Sequence, residues 1–126
     1  MRISELVKEA GETNKSKGWR DIKRSQLELL ALVVTEVSEA MEEVRHGGRP
    51  PIYQINNEYI NGHIVPYSDL RWEKSKKPEG IAIELADAVI RIFDMFDNFG
   101  WDLEKALRLK MDYNKTRSFR HGGKVY

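Results

Sequence analysis

The chain has 126 residues, and its 21 Lys and Arg nearly balance 20 Asp and Glu, for a formal charge of +1. That length holds one domain with a core and excludes two ordinary ones, while the charge balance excludes the global positive field that drives non-specific nucleic-acid binding. With no cysteine, a disulfide framework, a zinc-thiolate site and a thiol nucleophile are excluded.

In chain order, the first segment, MRISELVKEAGE, has no apolar signal-like region, and no stretch approaches the ~18 apolar residues of a membrane span. A cytoplasmic protein that binds neither membrane nor nucleic acid is expected. Apolar periodicity predicts helix one over Ile3 to Ser16, with Ser4 as its N-cap and Lys17-Gly18 as its stop. Helix two is expected from about Arg24 to Arg45, ending at Gly47-Gly48. Residues 46 to 78 then break the pattern: Gly47, Gly48, Pro50 and Pro51 forbid a helix, and Asn61-Gly62 between Glu58-Tyr59-Ile60 and His63-Ile64-Val65 is the preferred pair for a two-residue hairpin. Helix three follows from about Glu79 to Phe99, stopped by Gly100. Helix four begins after Asp102, its N-cap, carries Leu103, Ala106, Leu107 and Met111 on one stripe, and ends near Ser118. The predicted fold is therefore a single all-α domain over 1–126, a four-helix bundle-like protomer with a small β-hairpin insertion between helices two and three. Such short helices leave broad apolar faces, so the core is expected to be completed by oligomerisation, as a homodimer or homotetramer.

Two acidic pairs carry the chemistry. Glu36 and Glu39 lie three apart in LLALVVTEVSEAMEEVR, and Glu84 and Asp87 lie three apart in EGIAIELADAVIRIFDMF, so each pair occupies one face of its helix. The first face also carries Leu29, Leu32 and Ala40, and the second Ala88 and Met95, so the acids are aimed at the core. A solvated face is the usual reading of either pair alone. Four carboxylates gathered in a partly dry interior repel one another and cost several kcal/mol each in desolvation, unless protons or cations neutralise them. A divalent metal held by Glu36, Glu39, Glu84 and Asp87 is the economical explanation.

Lys110, Asn114 and Arg117 fall on one face of helix four, followed by Arg120-His121-Gly122-Gly123-Lys124. Cations at a helix C-terminus ordinarily complement its dipole. Beside a metal site the same face suits an anion: the Lys and Arg heads hold phosphate oxygens, Asn114 hydrogen-bonds a sugar or base edge, and the glycines let backbone N–H groups approach a phosphate.

The run Thr35-Glu-Val-Ser-Glu39, the run Glu84-Leu-Ala-Asp87, and Lys110-x-x-x-Asn114-x-x-Arg117 followed by His-Gly-Gly-Lys124 resemble the MazG-like members of the all-α nucleoside triphosphate pyrophosphohydrolase superfamily. The resemblance covers helices two to four. It departs from the family's usual E-E-x-x-E signature in having Thr35 at the first acidic position, and the inserted segment lengthens the spacing between motifs. The resemblance implies hydrolysis of a nucleoside triphosphate between its α and β phosphates, giving a monophosphate and pyrophosphate, with nucleotide-pool cleaning as the role it suggests. The cofactor it points to is Mg²⁺, with Mn²⁺ as a substitute, on those four acids. Either Glu36 or Glu39 would then orient or deprotonate the attacking water, and Lys110, Arg117 and Lys124 would steady charge on the phosphates, with Asn114 on the sugar or a phosphate.

Other residues carry weaker signals. Glu43 shares a stripe with Glu36 but sits near the helix end. Arg91 follows Asp87 by four, the spacing of a helical salt bridge. Trp19, Trp101, Phe93, Phe96 and Phe99 read as core, with Trp19, in a loop before helix two, the candidate for stacking a base. His46, His63 and His121 are too scattered for a histidine metal site. A di-iron bundle expects paired Glu-x-x-His motifs and finds only Glu43-x-x-His46. A non-catalytic helical oligomerisation module would need the apolar stripes but neither the inward acids nor the basic tail. Within the superfamily, phosphoribosyl-ATP pyrophosphohydrolase and dimeric dUTPase are the alternative activities.

Overall fold

The structure, a computed structural model, describes residues 2–47, 54–55, 58–59 and 78–119. Four helices dominate it: α1 (Ile3–Ser16), α2 (Gln26–Gly47), α3 (Ile81–Phe99) and α4 (Leu103–Thr116). Three two-residue strands, β1 (Gln54–Ile55), β2 (Glu58–Tyr59) and β3 (Pro78–Glu79), form a sheet in the order β2-β1-β3, antiparallel throughout. The expected hairpin about Asn61-Gly62 is not supported: Glu58–Tyr59 pairs with Gln54–Ile55, and residues 60–77 lie outside the described residues.

The ends of the helices show why they begin and stop where they do. Ser4 does not cap α1. Arg2 precedes the first turn, its backbone N–H donating to the Glu5 carboxylate, and the Ser4 N–H donates to Glu104 Oε1 at 3.2 Å, so α4 caps α1 from outside. A reciprocal box opens α2, with Ser25 Oγ accepting from the Glu28 N–H and Glu28 accepting from the Ser25 N–H. That box moves the start two residues beyond Arg24. Gly80, at φ 117°, sets the start of α3 at Ile81 in place of Glu79. As expected, Asp102 caps α4, accepting from the Lys105 N–H at 3.0 Å.

Helices α1 and α3 end alike. Gly18 and Gly100 adopt positive φ, and the next residue's N–H reaches back five positions, from Trp19 to the Asn14 carbonyl and from Trp101 to the Phe96 carbonyl. These are Schellman closures, which satisfy carbonyls the helix leaves unpaired. After α3 the closure seats Trp101 edge-on to Phe96 and stacked on Phe99, with centroids 5.6 and 4.9 Å apart. Both tryptophans remain largely exposed, contrary to the expected core placement, because the turn delivers them to the end of the bundle.

Helix α3 is the centre: α1 and α2 both pack on it, and α4 leans on α1. Contacts of Glu36 with Arg91 and of Glu39 with Glu84 run α2 antiparallel to α3. Asn14 bonded to Asp94, with Gly11 against Asp97, does the same for α1. Val7, Ala40, Ala88 and Met95 are the buried apolar residues among those described.

Candidate metal and nucleotide site

Antiparallel packing brings the two acidic stretches face to face. Carboxylate oxygens of Glu36, Glu39 and Glu84 lie within 4.8 Å of one another. Glu36 is buried, Glu84 half-buried and Glu39 exposed, so the group opens to solvent on the Glu39 side. The neighbours sequence analysis placed with them, Ala40, Ala88 and Met95, are buried. Asp87, half-buried, stands outside the three-residue group but close enough for its charge to act on Glu84. Glu43 is also outside the group.

The electrostatics are those of crowded acids. Burial, a hydrogen bond shared with Glu39, and the charges of Glu39, Asp87 and Glu36 push the Glu84 carboxyl up from an ordinary 4.5 to about 7. Arg91 offsets part of this charge, donating from Nε to Glu36 Oε1 at 2.5 Å. This contact runs across helices, where the buried Glu36 carboxylate has great need of a cation.

Arg91 also lines a cleft of about 230 Å³ between the α1–α2 turn, the start of α2 and the second half of α3. Its walls include Trp19, Arg24, Leu32, Asp94 and Asn98. The Schellman turn places Trp19 at the rim, and the Arg24 guanidinium lies 5.8 Å from the Trp19 ring centroid. Buried Nε–H groups of Arg20 and Arg24 have no hydrogen-bond partner among the described residues. The cleft therefore combines an aromatic face, apolar walls and spare donors, and Arg91 joins it to the carboxylate group.

The network beneath this cleft was not expected from the sequence. Arg20 bridges Asp94 at 2.7 Å and Asp97 at 2.8 Å, and Asn14 donates to Asp94 at 2.6 Å. Burial works against the Arg20 charge, but the bonds to Asp94 and Asp97 outweigh it, so its pKa is raised further. The signal available was Asp94 on the same α3 face as Asp87 and Arg91, one turn further on.

Among the described residues, the cationic face of α4 is not seen to meet Glu36, Glu39 or Glu84. The Lys110 ammonium and the Arg117 guanidinium lie 5.1 and 5.8 Å from the Tyr113 ring centroid, and among the described residues neither pairs with Glu36, Glu39 or Glu84. Asn114 is exposed. Lys124, with the Gly122-Gly123 turn, lies outside the described residues.

Comparison with protein-family models, curated proteins and solved structures finds no match to the chain.

Proposed function

We infer that the chain is a metal-dependent nucleoside triphosphate pyrophosphohydrolase. The observation that carries this reading is the convergence of Glu36, Glu39 and Glu84 within 4.8 Å, with Glu84 pushed up to about 7. An all-oxygen donor set of this kind fits a hard divalent cation such as Mg²⁺, and the raised carboxyl marks negative charge that a cation would relieve. When bound, Mg²⁺ would neutralise phosphate charge and acidify a water.

The chain's own residues divide the remaining work. Glu36 Oε1 accepts from Arg91, whereas Glu39 is the exposed member of the group, which favours Glu39 as the residue that orients the water and takes its proton. Glu84 and the Glu36 oxygen not bonded to Arg91 would hold the cation, with Asp87 near enough for its charge to act on the site. Water adds at phosphorus as the bridge between the α and β phosphates breaks, releasing a monophosphate and pyrophosphate. The cleft takes the nucleoside, with Trp19 against the base and Asn98 and the Arg24 Nε–H as donors. Arg91 and Lys23 line the same cleft and would meet the phosphate chain, and Lys110, Asn114, Arg117 and Lys124 join them if α4 and the tail are brought across. A homo-oligomer working without nucleic acid or membrane completes the proposal, and among the described residues no helix is long and apolar enough to cross a membrane.

The test is pyrophosphate release from a panel of NTPs and dNTPs with Mg²⁺, beside Glu39→Gln and Asp87→Asn. Paired monophosphate and pyrophosphate from the wild type, lost in both variants, supports the reading. Absence of metal-dependent turnover with every triphosphate leaves the helical binding module.

A further inference from the structure

The cleft that Arg91 joins to the carboxylate group is one-sided in its hydrogen bonding. Arg20, Lys23, Arg24 and Arg91 line it against a single acid, Asp94, among the described residues. Asp94 is buried and already accepts at both carboxylate oxygens, from Arg20 at Oδ1 and from Asn14 at Oδ2. Asn98 is exposed, and its amide can present either its oxygen or its N–H groups. The charged side chains left to meet a ligand are therefore all donors.

These four cations differ in what they hold. Arg20 bridges Asp94 and Asp97, and Arg91 is on Glu36. Neither the Lys23 ammonium nor the Arg24 guanidinium has a hydrogen bond or an ion pair among the described residues, and Arg24 Nε is buried without a partner. With Lys23 beside Arg91 for the phosphate chain, Arg24 is the cation left for the nucleoside. Its guanidinium lies 5.8 Å from the centroid of the Trp19 ring, so a base laid against Trp19 brings an edge to Arg24.

We propose that the cleft selects nucleotides by the oxygen on the edge of the base, taking 6-oxopurines and 4-oxopyrimidines (guanine, hypoxanthine, uracil and thymine) in preference to the amino bases adenine and cytosine, with Arg24 as the residue that discriminates. This selection rests on the cleft taking the nucleoside of a triphosphate substrate, as inferred above. Guanine offers O6 and N7 to a guanidinium, and uracil and thymine offer O4, whereas adenine and cytosine carry exocyclic N–H groups in those places. An amino group set against Arg24 makes no hydrogen bond, and both sides then lose the water they were bonded to without compensation. The positive charge acts in the same sense, attracting the carbonyl oxygen and repelling the amino hydrogens.

The test uses the α,β-imido analogues of dGTP, dUTP, dATP and dCTP, which resist hydrolysis at that bridge, titrated into the full chain with Mg²⁺ by isothermal calorimetry. The dGTP and dUTP analogues are expected to bind at least about tenfold more tightly than those of dATP and dCTP. Arg24→Gln exchanges a fixed donor for an amide of the kind that pairs with adenine N6 and N7, and is expected to bring the dGTP and dATP analogues to within about threefold of each other or to invert their order, whereas Arg24→Lys keeps the preference. Four wild-type constants within about threefold of one another overturn the selection even where triphosphates are hydrolysed, and a preference unchanged in Arg24→Gln overturns the role of Arg24. Tighter binding of the oxo bases with no turnover of any triphosphate upholds the selection and removes the pyrophosphohydrolase reading instead. Binding of none of the analogues overturns both.

Discussion

Glu84 and Glu39 are adjacent carboxylates in unlike surroundings, and each has a measurable signature. Between pH 4.5 and about 7 the folded, metal-free chain keeps a proton on Glu84 that the unfolded chain has released. Its stabilising effect is complete below pH 4.5 and is lost as pH rises through 7. Thermal melts of metal-free protein should therefore show stability falling between pH 5 and 8, with Glu84→Gln flattening that fall; parallel slopes for the two proteins would count against the crowded-acid description. Glu39 is exposed and repels Glu84, so Glu39→Gln should hold or raise the melting temperature of the metal-free protein at pH 8 while lowering kcat by about 10²-fold or more. An equal loss of stability and turnover would mean that Glu39 is structural. Asp94 is the contrasting case, buried and bonded to two partners. Asp94→Asn should cost about 2–3 kcal/mol in denaturant unfolding, near the lower end for a broken buried pair because Arg20 remains partly solvated.

At the scale of elements, α1 and α3 approach closely because Gly11 has no side chain. A Cβ at that position would overlap the Asp97 carboxylate, which Arg20 holds in place. Gly11→Ala is expected to destabilise the fold by about 1–3 kcal/mol despite alanine's better helix propensity, and a stabilised variant would show that the two helices part freely. That approach was not legible in the sequence, where Gly11 is only a weak spot in a helical pattern. The four helices were legible, because apolar periodicity, Asp102 and the Gly18 and Gly100 stops act within a few residues of themselves. So was the meeting of Glu36, Glu39 and Glu84, since acids on an apolar face leave few alternatives. Partners chosen across the fold were not: Arg91 answers to Glu36 on another helix, and the Ser4 N–H is capped by Glu104. Lys110 and Arg117 flank one ring, that of Tyr113, but the spacing along α4 carries no information about which helix this face would meet.

For the molecule as a whole, a core built around Val7, Ala40, Ala88 and Met95 and a cluster of mutually repelling acids between α2 and α3 make stability sensitive to what binds there. Mg²⁺ should raise the melting temperature at pH 8, and less so at pH 5.5, where protons compete for the same oxygens. Differential scanning fluorimetry with Mg²⁺ or EDTA checks this, and curves that ignore Mg²⁺ at both pH values would remove the metal from the account. The position of α3 at the centre also bears on how the chain is made. Synthesis delivers α1 and α2 first, yet both pack on a helix that begins only at Ile81. The emerging polypeptide thus carries two amphipathic segments with their apolar sides open until α3 has left the ribosome, and for that interval these segments are the parts of the chain most open to aggregation or capture by a chaperone.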